Sequence, residues 1–177
     1  LGYDLYMKML SQAIALEKGE DPAPDKSDCL IDITVDAYIP ERYIPDAAGR
    51  IEAYKRIAAI RDAEDAADVL DELIDRYGDV PPSVSGLVDI SLIRITAAAA
   101  GIYEIGQKKD QLILYSDALR ADRLRPVLAQ MGGRVTLNAV HKPYLAVRVA
   151  PGEKPLDLLR MTLECLGQAA APPPAEA

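Results

Sequence analysis

The chain has 177 residues, a formal net charge of −8 and a pI of about 4.7. That length fits one domain with an appendage, or two small domains. The acidic balance repels phosphate and argues against binding nucleic acid through the chain's own surface. The only two cysteines, Cys29 and Cys165, lie far apart, which makes neither a disulfide framework nor a metal-ligand spacing. A reducing, cytoplasmic compartment is therefore expected.

Half the residues are hydrophobic, so a real core is possible, and with no Trp or Phe it must be mainly aliphatic. No signal peptide is visible, and no apolar run looks long enough for a membrane span. The chain opens on Leu1 inside a helical pattern and is expected to be a fragment of a larger protein.

Residues 1–18 read as an amphipathic helix, with Tyr6, Met9, Leu10, Ala13 and Ile14 on one face. Residues 19–27 contain two Pro, one Gly and no large apolar residue, and read as a linker. The main domain of the chain is expected over 28–168. From Leu30 to Tyr38 the pattern alternates, with Ile31, Ile33 and Val35 opposite Asp32, Thr34 and Asp36, which predicts a half-buried strand.

The strand enters a corner in which Tyr-Ile-Pro occurs twice, five residues apart (Tyr38-Ile39-Pro40 and Tyr43-Ile44-Pro45). Proline fixes its own φ and biases the preceding residue towards extended geometry. Tyr38, Ile39, Tyr43 and Ile44 are the expected apolar pins of this corner.

Asp46 then caps a helix to about Ile60, with Ile51, Tyr54, Ile57 and Ala58 inward and Lys55, Arg56 and Arg61 towards its cation-favouring end. Asp62 caps a second helix to Tyr77, with Val69, Leu70, Leu73, Ile74 and Tyr77 as its stripe and Gly78 as its stop. This helix is one-sidedly acidic. A solvated face is the ordinary reading of such a run. Dipole stabilisation fades within the first turn, so it does not account for Glu72 and Asp75 near the far end, next to Arg76.

Pro81-Pro82 opens a long helix to about Ala100, with Val84, Leu87, Val88, Ser91, Leu92, Ile95, Ala98 and Ala99 on the core face. A hairpin follows from Ile102–Ile105 and Gln111–Tyr115 about the turn 106–110. A helix starts near Arg123, because Pro126 is expected in its first turn, and presents Leu124, Val127, Leu128 and Met131. A second hairpin (134–138 with 144–149) and a last helix from Pro155 to Leu166 complete the domain. Residues 169–177 are Ala/Pro-rich and expected to be disordered.

A catalytic reading fails at each testable step. His141 is the single histidine and falls in a hairpin turn beside Lys142-Pro143. Gly101 to Lys108 superficially resembles a phosphate loop, but Gln107 stands where lysine is needed and a strand follows instead of a helix. The paired carboxylates lie in acidic faces with no apolar pocket to raise a pKa. No catalytic residue, cofactor or metal site is expected, and the residues favour an interaction or regulatory module over an enzyme. The fold class expected is α+β, with helices on a small, mostly antiparallel sheet.

Three stretches together resemble the C-terminal domain of the bacterial transcription-repair coupling factors (Mfd). They are Gly2-Tyr3-Asp4-Leu5-Tyr6-Met7-Lys8-Met9-Leu10; the double Tyr-Ile-Pro corner with Asp46, Arg50 and Tyr54-Lys55-Arg56; and Glu72-Leu73-Ile74-Asp75-Arg76-Tyr77-Gly78 followed by Val80-Pro81. Tyr3 and Tyr77 replace the family's usual Phe. The match covers about the first hundred residues, and beyond Gly101 it is one of pattern only.

The resemblance implies a parent protein that is an ATP-dependent DNA translocase. That parent displaces stalled RNA polymerase and recruits UvrA through a UvrB-like module. It implies that the first helix ends the motor region and that the motors themselves lie upstream. It further implies a non-catalytic, monomeric domain that packs on the UvrB-like module and masks its UvrA-binding surface, with RNA polymerase and DNA engaged by other domains. Glu72, Asp75 and Arg76, at i, i+3 and i+4, are the expected protein-interaction residues on this reading. The alternative is a module that contacts polymerase or nucleic acid.

Overall fold

The computed structural model describes residues 29–168. The expected first helix (1–18), the linker (19–27) and the tail (169–177) lie outside the described residues. Two compact units emerge. One includes Thr34–Ile95; the other combines Cys29–Ile33 with the chain from Thr96 onward.

The first unit is helical. Asp46 caps α1 (Ala47–Ala58), its carboxylate accepting the Gly49 N–H at 2.7 Å. Asp62 caps α2 (Ala63–Tyr77) in the same way, accepting from Asp65 N–H at 2.8 Å. Each cap satisfies one of the donors that every helix start leaves without an intrahelical partner. Gly78 closes α2 at φ +83°, a backbone region that favours glycine.

α3 (Pro82–Ala99) begins in the first unit and runs on into the second. It is long and apolar enough to pass a length-and-composition test for a membrane span, contrary to the reading of the sequence. Val84, Leu87, Val88, Ile90, Ile93 and Ala97 are all buried within the protein, as befits a core helix. Its buried arc is wider than expected and rotated, taking in Ile90, Ile93 and Ala97 while Leu92, Ile95 and Ala98 are only half-buried and Ala99 is exposed. Its Ser91 hydroxyl is buried and donates to the Ile57 carbonyl at 3.0 Å, so the polar group carries no desolvation penalty without return.

The second unit holds a five-stranded sheet of order β1-β2-β3-β5-β4. Its strands are β1 (Leu30–Asp32), β2 (Glu104–Lys108), β3 (Gln111–Tyr115), β4 (Val135–Asn138) and β5 (Tyr144–Arg148). β1 runs parallel to β2 and every other pairing is antiparallel. Along the ladder Ile105, Leu114, Leu145 and Leu137 stand in one row, and Leu112, Val147 and Val135 in the next. Ile105, Leu112, Leu114, Leu145 and Val147 are fully buried, so the period-2 alternation puts one sheet face in the core. α4 (Ala121–Met131) and α5 (Pro155–Gln168) pack against one another in this unit. The molecule is thus α+β, as expected.

Several expectations are corrected in detail. The first strand stops at Asp32, yet inward and outward burial continues to alternate through Ile39. The ladder ends because the chain leaves the sheet there for the helical unit. In the first hairpin β2 extends through Gly106 to Lys108, and the turn shrinks to Lys109-Asp110, with Lys109 at φ +55°.

α4 starts at Ala121, two residues early, so Pro126 lies inside the helix beyond its first turn. Tyr38, Ile51, Ile74 and Leu128 were expected inward and are exposed. In α1, α2 and α4 the buried arc is narrower than the apolar pattern: Ala53 and Ile57 in α1, Ala66, Val69 and Leu73 in α2, and Leu124, Val127 and Met131 in α4.

Candidate protein-interaction site

The double Tyr-Ile-Pro corner is a turn pinned at its centre. The Pro40 carbonyl accepts from the Tyr43 and Ile44 N–H groups at 3.0 and 3.1 Å, and Ile39 N–H donates to the Tyr54 hydroxyl of α1 at 2.8 Å. Arg50, one turn into α1, reaches back. Its Nη1 donates to the Ile44 carbonyl at 2.9 Å and the Pro45 carbonyl at 2.8 Å. Proline has no N–H to offer, and here one guanidinium nitrogen supplies the donor to both carbonyls.

Tyr43 carries this corner to the C-terminal end of α2. Its hydroxyl stands 3.2 Å from the Leu73 carbonyl and 3.1 Å from the Gly78 carbonyl as donor, and its ring meets Tyr77 edge-on at 5.9 Å. Burial pushes its phenol pKa up, with Asp79 and Tyr77 adding to the effect.

The charged group sits on the same stretch of α2. Glu72 accepts from the Arg56 guanidinium of α1 and, through its other oxygen, from Arg76 Nη1 at 3.3 Å. The Arg56 hydrogen bond holds the Glu72 carboxyl below the usual carboxylate range; burial opposes this in part, and Arg76 adds to it. Arg76 also lies 5.2 Å from the centroid of the Tyr77 ring. Asp75 is exposed and makes no ion pair among the described residues.

The three expected residues therefore divide. Glu72 and Arg76 join a network that ties α2 to α1, while Asp75 is exposed and joins no ion pair among the described residues. Exposed pairs of this sort contribute little to stability but fix side-chain geometry. Arg56 is the member the sequence reading missed, since its place in the last turn of α1 already had a sufficient cause in the helix dipole. Only the packing of α1 on α2 brings it to Glu72.

A second charged group lies in the sheet unit. Lys142, in the β4–β5 turn, donates to Glu104 at 2.6 Å and sits 4.0 Å from the Tyr115 ring centroid. His141 beside it occupies that turn at φ +61°.

The fold and this surface define a small α+β domain whose charged side chains form surface networks. The same fold occurs in the crystal structure of the C-terminal domain of a transcription-repair coupling factor. That match has a TM-score of 0.70 at 22% identity and covers 80% of this chain and 93% of that one. In sequence, the TRCF domain family matches residues 33–124. The transcription-repair-coupling factor of Staphylococcus epidermidis strain RP62A is 32% identical over 176 residues, which is 97% of this chain and 15% of that protein. That of Bacillus subtilis strain 168 is 36% identical over 114 residues, or 64% of this chain and 10% of that protein. The chain belongs to the transcription-repair coupling factor family. It spans about 15% of the length of the Staphylococcus relatives it matches.

Proposed function

We propose that this chain is the regulatory domain of its parent coupling factor. It packs on the parent's UvrB-like module and masks the surface that UvrA uses, and the resting protein favours the masked form. The parent is a DNA translocase that displaces stalled RNA polymerase in the cytoplasm. Its motor lies upstream, with residues 1–18 as the end of the motor region, 19–27 as a linker, 28–168 as the regulatory domain and 169–177 as the segment after it. The domain itself contributes no motor and no cofactor, and acts as a monomer.

The observation that carries this reading is the exposed Asp75, which makes no ion pair among the described residues, beside the Glu72–Arg76 pair. A carboxylate there with no ion-pair partner among the described residues is available to a basic residue of the UvrB-like module. An exposed charge pair contributes little, whereas a desolvated interfacial one contributes several times more. Charge reversal of Glu72, Asp75 and Arg76 together is therefore expected to abolish calorimetric binding to the UvrB-like module. Asp75→Lys alone is expected to weaken it without lowering the melting temperature. Unchanged binding by the triple variant would remove these residues from the interface.

A further inference from the structure

The sheet has an open edge at β4. This strand is last in the order and pairs only with β5 among the described residues. Part of its backbone N–H and C=O groups therefore points away from the ladder, where another strand can pair with it. Natural edges are guarded by charged residues, proline or a bulge. β4 reads Val-Thr-Leu-Asn, with no charge and no proline, and its register with β5 runs without a bulge. The opposite edge strand, β1, ends on Asp32.

Exposed apolar side chains flank the open edge. Leu137 is 43% exposed, Leu128 of α4 48%, and Val140, just past the strand, 64%. α4 packs against β4. Leu128 stands one turn from the buried Leu124 and Met131, on the rim of the core face of α4. The core row of Ile105, Leu114 and Leu145 thus runs out to Leu137 and ends there half-open.

Charge decides what can cover this edge. Between Asp122 and Glu153 the chain has five Arg or Lys residues and no acid, against a net charge of −8 for the whole. Arg134 pairs with Glu153, Lys142 with Glu104 at 2.6 Å, and Arg148 lies 3.8 Å from Asp110. Arg123 donates to the Ala100 carbonyl at 3.2 Å. Arg125, three residues before Leu128, is exposed and makes no ion pair among the described residues. One uncommitted cation is too few for a phosphate backbone. A second copy would lay one acid-free basic segment against another. The chain's own outlying segments also fail: 19–27 has no large apolar residue, and 169–177 holds three consecutive prolines, which donate no N–H.

We infer that β4 is a strand-addition site for an extended, acidic segment of a separate protein. Backbone pairing along β4 supplies the affinity, alternate apolar residues meet Leu137 and Leu128, and a carboxylate meets Arg125. The site lies outside α2 and is independent of the masking role.

The probe is a short synthetic peptide alternating Val with Thr and Glu, titrated calorimetrically into the whole chain. Saturable binding is expected. Two further peptides, N-methylated at odd or at even amides, remove the backbone donors of either register, and at least one should bind about tenfold more weakly. Leu137→Lys guards the edge with charge and should weaken binding about tenfold. Arg125→Glu should weaken it about threefold at an unchanged melting temperature, and a peptide with Lys in place of Glu should recover that loss. The N-methylated peptides need no variant, so the test does not depend on how Leu137→Lys folds. No saturable binding, or equal binding of all three peptides, overturns the strand-addition site. A dimer of the chain that Leu137→Lys dissolves gives the edge to a second copy and overturns the separate partner. Binding of an oligothymidylate that Arg125→Glu and Leu137→Lys both abolish overturns it in favour of nucleic acid.

Discussion

Truncating Leu145 to alanine is expected to cost about 3 kcal/mol of stability, within the range of about 2–5 kcal/mol for large-to-small changes in a packed core. Leu145 is fully buried in β5, with Leu114 of β3 on one side and Leu137 of β4 on the other. Sheets cannot collapse onto a missing side chain without disturbing their ladder, so most of the cavity would persist. A urea transition should move to a lower midpoint with its slope unchanged. The same truncation at Leu137, which is 43% exposed at the sheet edge, should cost much less. Equal losses at the two positions would contradict the register that places them on one buried-to-edge row.

Arg50→Ala is the second large effect, about 2 kcal/mol, because hydrogen bonds from charged donors contribute about 1.5–3 kcal/mol and their loss leaves acceptors unmet. The guanidinium is the donor to both the Ile44 and Pro45 carbonyls and also pairs with Glu41 at 3.5 Å. Its side chain is only 20% exposed, so water replaces these bonds poorly. Arg50→Lys should rescue part of the loss, since a single nitrogen, Nη1, meets both carbonyls and an ammonium has donors for two acceptors, while the Nη2 contact to Glu41 is lost. The loss is read from chemical denaturation. A change under about 0.5 kcal/mol, the usual surface range, would mean that the prolines alone hold the corner.

Local chemistry made much of this fold legible. Asp46 and Asp62 mark helix starts because a short carboxylate satisfies donors within its own turn, and Gly78 marks a stop because its φ is positive. The period-2 runs identified both hairpins. What stayed hidden depends on neighbours distant in sequence. Ile74 and Ile51 fit the helical apolar pattern, but which edge of a stripe meets the core is set by packing, and both lie on the solvent edge. The alternation from Leu30 to Ile39 is real in burial, yet a ladder needs an adjacent strand, and only Leu30–Asp32 has one. At the candidate site, the i, i+4 spacing brought Glu72 to Arg76, while Arg56 arrived from another helix.

The masking role makes a direct demand on competition. UvrA is first bound to the UvrB-like module, and the present chain is then titrated in at physiological salt. The account predicts that UvrA is displaced, that displacement weakens as salt screens the charged contacts, and that no complex contains all three proteins. A stable ternary complex, with UvrA and this chain bound to the module together, would contradict it.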